Sequence, residues 1–121
     1  MTTDDIVRRR PETGGDQRLA ISNAIVGLYR EYYGKGPTRA KTYVHDDIVL
    51  TVLWGGIVPI ERTLAEDGRS EVIHDLRRAF QDAKRDAFIG VVEKLTGRKV
   101  TAFMSRFDPY GDVSVEFFLL D

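Results

Sequence analysis

His45, Asp46 and Asp47 stand in a row, placing an imidazole beside two carboxylates. Those are the residue types of an acid–base pair or a hard-metal site. Metal sites draw ligands from several segments, and the only other histidine, His74, lies on a separate helical stretch. The triplet reads as an aspartate-rich hairpin turn with a histidine at its rim, and no metal site is expected. Gly34-Lys35-Gly36-Pro37-Thr38-Arg39 has the glycines and cations of a phosphate-cradling loop. Such a loop follows a strand and opens a helix. Here the order is reversed, and Pro37 removes one amide. The run is a helix cap from which Lys35 and Arg39 can still meet an anion. Glu61 and Arg62 follow Pro59 in the first turn of a short helix, and Arg77 sits on a long one. Lys35, Arg39, Glu61, Arg62 and Arg77 are therefore the candidate ligand-binding residues, for a small molecule or anion held around helix ends.

The other charged residues read as surface. Arg77, Arg78, Lys84 and Arg85 mix with Asp75, Asp82 and Asp86 at spacings of three and four, the pattern of solvated helical ion pairs. Ser22, Ser70, Ser105 and Ser114 lack a neighbouring histidine or a nucleophile-elbow pattern. No catalytic residue and no cofactor site is expected.

The elements that must position these residues follow from periodicity. Leu19, Ile21, Ala24, Ile25, Leu28 and Tyr32 repeat at helical spacing, predicting a helix over about 18–33 that Gly34, Gly36 and Pro37 end. Residues 38–45 alternate, Asp46-Asp47 turns the chain, and the apolar run 48–54 completes a hairpin. Pro59 opens a short helix ending at Glu66. Ser70 caps a long helix with an apolar stripe of Ile73, Leu76, Phe80, Ala83, Ala87, Val91 and Leu95, closed by Gly97. Residues 99–107 and 112–120 form a second hairpin around Asp108-Pro109-Tyr110-Gly111. The order helix, hairpin, two helices, hairpin predicts an α+β domain over 18–121, a four-stranded antiparallel sheet with its helices on one face. The helix-plus-hairpin pattern occurs twice, a weak suggestion of duplication.

One face of that sheet is expected to take Ile48, Leu50, Val52 and Trp54 with Val113, Val115, Phe117 and Leu119 under the helices. The other face then holds Tyr43, Val49, Leu53, Phe103, Phe107, Phe118 and Leu120 with nothing to cover it. Exposed apolar patches of that size mark interfaces. Tyr43, Leu53, Phe103, Phe107, Phe118 and Leu120 are accordingly the expected interface residues, with a second copy of the chain as the simplest occupant.

Composition narrows the function classes. The 121 residues carry 18 basic and 19 acidic side chains, a net charge of −1. A phosphate-backbone binder shows a basic surplus, so nucleic acid is not an expected partner. Residues 1–17 mix charges with Pro11, Gly14 and Gly15 and read as a flexible tail. MTTDDIVRRR has no apolar core of a signal peptide, and cysteine is absent, which fits a cytoplasmic, reducing compartment. The longest apolar stretch, Ile48 to Ile60, is broken by Thr51, two glycines and Pro59, short of the roughly 20 residues a spanning helix needs.

The stretches YYGKGPTRAKTYVHDDIVLTVL, VPIERTL, RRAF and VEKLTGRKVTAF resemble the MpsC-like domain family, named for a sodium-translocating, membrane-potential-generating system. The resemblance runs from about Arg18 to Asp121. It rests on Gly34, Gly36 and Pro37 at the cap, on Pro59, Glu61, Arg62 and Leu64, and on Arg77, Phe80, Gly97 and Val100. It implies an accessory protein beside membrane ion or inorganic-carbon uptake machinery, docking on a protein partner, and supplies no catalytic residues. The expected function is therefore a non-enzymatic accessory or regulatory domain that self-associates. The alternative is a sensor of a small molecule or anion.

Overall fold

The computed structural model describes residues 14–121. The tail expected over 1–17 lies outside the described residues as far as residue 13. Helix α1 (Gly14–Tyr32) starts earlier than its apolar spacing suggests. Asp16 favours the positive end of the helix dipole, and Gln17 Nε2 donates to the Leu95 carbonyl at 3.3 Å. Gly34 ends the segment with φ +92°, the left-handed conformation that glycine adopts without a Cβ clash.

Strands β1 (Arg39–His45) and β2 (Ile48–Trp54) form the first hairpin, with Asp46 at φ 51° in its turn. Helix α2 (Pro59–Glu66) has proline in its first turn, where the missing amide costs nothing. Helix α3 (Ser70–Thr96) ends at Gly97, and strands β3 (Val100–Asp108) and β4 (Val113–Leu120) complete the chain. The sheet order is β1-β2-β4-β3, every neighbour antiparallel, so the two hairpins join through their second strands. This is the expected α+β domain. Helix α1 packs on β1 and α3, α3 on β3, and α2 on α3.

The helices cover the opposite sheet face from the one expected. Beneath them lie Val49, Leu53, Phe103, Phe107, Phe118 and Leu120, each at most 7% exposed. Five of the six expected interface residues, Leu53, Phe103, Phe107, Phe118 and Leu120, are thus core. Only Tyr43, 47% exposed, lies on the open face. The cause is the size and fit of the rings: Phe118 stacks on Phe103 at 4.7 Å and Phe103 on Phe88 of α3 at 5.8 Å. Each buried ring contributes about 2–3 kcal/mol, so the face with the phenylalanines wins the helices.

The buried face also contains a polar row. Thr42, Thr51, Glu116 and Ser105 lie opposite one another across β1, β2, β4 and β3. Ser22 of α1 is hydrogen-bonded to Thr42, and Thr42 to Thr51, both at 2.8 Å. The hydroxyls satisfy one another, which makes their burial tolerable.

Candidate functional site

The face of α3 turned inward is Ile73, Arg77, Gln81, Phe88 and Val92, so two polar residues occupy core positions. Leu76, expected in the stripe, is 45% exposed instead. Arg77 meets Glu61 of α2 in a bidentate pair, Nε to Oε2 at 2.6 Å and Nη2 to Oε1 at 2.7 Å. Tyr33 donates its hydroxyl to Glu61 Oε2 at 2.5 Å, and the Val58 amide donates to Oε1 at 3.0 Å. Arg77 Nη2 also reaches the Gly56 carbonyl at 3.2 Å, and its guanidinium lies 3.8 Å over Phe107 and 4.4 Å over Tyr33. Burial alone would push the Glu61 carboxyl up, but the hydrogen bonds from Arg77, Tyr33 and Val58 outweigh it and hold it below its ordinary value. Burial likewise favours neutral Arg77, and Glu61 reverses that. The pair ties α2, the 56–58 loop and the end of α1 to α3.

A second buried carboxyl, Glu116, lies at the centre of the polar row and is fully buried. Its Oε1 accepts a short hydrogen bond from the Tyr29 hydroxyl and another from Gln81 Nε2 at 3.0 Å. Gln81 Nε2 also stands 2.7 Å from the Tyr29 oxygen. Glu116 Oε2 and Gln81 Oε1 are buried with no hydrogen-bond partner among the described residues. Desolvation pushes the Glu116 carboxyl up to about 7, and the hydroxyls of Ser105 and Tyr29, the Arg77 charge and the Gln81 amide pull it back only part of the way. Tyr29 is raised in turn, by its own burial and then by Glu116.

A cleft of about 380 Å³ opens between α3 and β3, directly above this cluster. Tyr29, Gln81 and Ser105 line it at the bottom of the site, and His74, Arg85 and Arg106 are among its walls. The volume falls in the range of small-molecule pockets, and Glu116 lies beneath its floor rather than in its lining.

Of the five candidate ligand residues, the fold brings Glu61 and Arg77 into contact and spends them on each other. Lys35 donates to the Ile57 carbonyl at 3.1 Å, next to the loop that Arg77 grips. Arg39 lies 4.2 Å over Trp54 on the far face of the sheet, and Arg62 is exposed on α2. The set does not converge. Sequence reasoning missed Tyr29, Gln81, Ser105 and Glu116. The available signal was polar residues interrupting an apolar period, at Arg77 and Gln81 on α3 and at Glu116 in β4. His45 and Asp46 stand 3.4 Å apart at 86% and 84% side-chain exposure, and Asp47 is held by Arg98 at 2.6 Å, which fits a surface turn. Among the described residues no group of three or more His, Cys, Asp or Glu gathers to hold a metal ion, and no helix is long and apolar enough to cross a membrane.

The open sheet face has an apolar centre. Ile48, Leu50 and Val52 of β2 lie beside Leu119, Phe117 and Val115 of β4. Charge sits on the two edge strands, at Arg39, Lys41, Arg106 and Asp108.

Comparison with curated proteins and with solved structures gives no significant match. A family model does match, over residues 14–121, nearly the whole chain, and it covers both the Glu61–Arg77 pair and the Glu116 cluster. The chain belongs to the family described as the Na+-translocating membrane potential-generating system (MpsC).

Proposed function

We propose that this chain is a non-enzymatic accessory domain that acts as a homo-oligomer in the cytoplasm, beside a membrane ion-translocating assembly. One observation carries the reading: the uncovered sheet face has an apolar centre and a charged rim, the anatomy of a protein–protein interface. Tyr43, Ile48, Met104 and Leu119 on it are 37–59% exposed. The occupant is a second copy. An apolar surface is its own complement, so a two-fold pair covers it with no separate recognition. Four strands at about 4.8 Å and seven residues at about 3.3 Å give a plan of roughly 19 by 23 Å. That plan is roughly 440 Å² before side-chain relief is added, about half of the roughly 800 Å² per partner of a standard interface. Two such faces stack about 10 Å apart as a sandwich. The family description supports the setting beside a membrane system, and the cysteine-free chain supports a reducing compartment. The Glu61–Arg77 pair is committed to structural contacts, which supports a role other than catalysis.

Light scattering tests it. The expected mass is at least twice 13.7 kDa at micromolar concentration, reduced to 13.7 kDa by Phe117→Lys on the open face. A wild-type mass of 13.7 kDa throughout overturns self-association.

A further inference from the structure

A fully buried carboxyl with one oxygen unpartnered needs an occupant for that oxygen. For Glu116 Oε2 the occupant is a proton, and the proton changes what the cleft offers. While Glu116 is a carboxylate, the Tyr29 hydroxyl and the Gln81 amide both donate inward to Oε1. Once Oε2 carries the proton, Oε1 is a carbonyl oxygen that still accepts from both, and the negative charge beneath them is gone. Tyr29, Gln81 and Ser105 are the polar side chains at the bottom of the α3–β3 cleft. The Glu116 proton therefore sets whether a negative charge lies one side-chain layer below that floor.

The walls suit an anion once that charge is gone. Of the acids around the cleft, Glu71 is held by Arg69 at 3.1 Å and Asp75 by Arg78 at 3.2 Å. Arg77 is committed to Glu61. That leaves Asp82 against Arg106, which has no ion pair among the described residues, and Arg85, whose Nη1 rests on the Phe103 carbonyl at 3.3 Å. His74 is the other titratable wall residue. Beneath the floor, Glu116 faces Thr51 of β2, Ser105 of β3, Tyr29 of α1, and Gln81 and the charge of Arg77 from α3.

We propose that the α3–β3 cleft is a binding site for a small oxyanion, a carboxylate, sulfate or phosphate group, and that binding is linked to protonation of Glu116. The anion is held by Arg85 and Arg106 of the cleft walls and by the Ser105 hydroxyl at its floor. No covalent step is involved: the anion enters, and one proton is taken up from solvent. The cleft lies on the helix-covered side of the sheet and shares one lining residue with the open face, Arg106 of edge strand β3, so the sulfate titration reads it apart from self-association.

Sulfate is the probe, because it keeps its charge through neutral pH. The full chain is titrated with sodium sulfate in a calorimeter, against sodium chloride of equal ionic strength, at about pH 6 and about pH 8. Affinity is expected to be about tenfold higher at the lower pH. Repeating the titration in buffers of different ionisation enthalpy should show close to one proton taken up per sulfate at the higher pH. Glu116→Gln keeps the shape and is expected to bind equally at both pH values with no uptake. Arg106→Gln should weaken binding about tenfold. His74→Asn should leave the proton count unchanged. The absence of binding, pH-independent binding, or full affinity in Arg106→Gln each overturns the site. Uptake that persists in Glu116→Gln, or that His74→Asn removes, overturns the linkage to Glu116. Should Glu116→Gln fail to fold, the wild-type proton count and the His74→Asn comparison still decide it.

Discussion

Glu61 and Glu116 are both fully buried carboxyls, and their surroundings push them in opposite directions. Glu61 has a guanidinium fork, a phenol and an amide to accept from, so its folded form favours the charge. Stability from that pair is present above the ordinary carboxyl range and is lost as pH falls through it. Glu116 binds its proton more tightly folded than unfolded, at about 7 against an ordinary 4.5. Its contribution is therefore complete below about pH 4.5 and is lost as pH rises toward and past 7. The wild-type fold should be most stable near about pH 5 and lose about 3 kcal/mol by about pH 8. Urea unfolding against pH checks this, and Glu116→Gln should flatten the alkaline limb. A wild type that gains stability from about pH 5 to about pH 8 would contradict it. For the other carboxyl, Arg77→Ala strands a charge in the core and should cost about 3–5 kcal/mol. Arg77→Lys should also destabilise, since a point charge cannot replace the fork over Phe107. Removing both ends together, Glu61→Leu with Arg77→Met, should recover most of the loss. An Arg77→Ala variant as stable as wild type in urea would mean that the pair holds nothing.

Between elements, the 55–58 loop carries the joint between the two hairpins and α2. Gly55 has φ +76°, and a Cβ there would fall 2.1 Å from Thr38 Oγ1. Its amide donates to the Asp112 carbonyl at 3.1 Å, while the Asp112 side chain accepts from the Ile57 amide at 2.9 Å. Gly55→Ala should therefore cost about 2 kcal/mol or more, from both backbone strain and the clash. Thermal melting beside wild type measures it, and an unchanged Tm would show that the loop relaxes freely. This joint was not visible in the sequence, where Gly55-Gly56 marks only the end of a strand. The helices and hairpins were visible, because Asp46-Asp47, Pro59 and Gly97 punctuate clear periods. What alternation could not settle was which sheet face the helices take, since Val49 and Leu53 are as apolar as Leu50 and Val52. Register decides it, through the phenylalanines of β3 and β4. A further misdirection came from Thr51 and Glu116, which look solvent-facing until Ser22, Tyr29 and Gln81 arrive from distant segments to satisfy them. For the same reason Arg77 read as a surface cation: its partner sits sixteen positions earlier, on another helix.

At the scale of the whole molecule, the sheet is a two-sided object, and among the described residues the helices lie on one side of it. The covered side is filled by stacked rings beneath the helices and opens only at the α3–β3 cleft, so it has no broad face to offer a protein partner. The open side keeps Ile48, Leu50, Val52, Val115, Phe117 and Leu119 on its two central strands. Edge strands invite pairing with other chains, but β1 carries Arg39 and Lys41 on its open side, charges that discourage edge-to-edge association. The open face is thus the surface proposed for self-association. If a second copy covers it, folding and association are one equilibrium, and stability depends on concentration. Raising the chain from about 100-fold to about 1,000-fold above its dimer dissociation constant should add on the order of 1 kcal/mol and raise the Tm by several degrees. Phe117→Lys, which leaves the phenylalanine stack of Phe88, Phe103 and Phe118 untouched, should keep the wild-type circular dichroism and lose the concentration dependence. A wild-type Tm that stays constant over a hundredfold range of concentration would leave the face bare in the isolated protein and would overturn a second copy as its occupant.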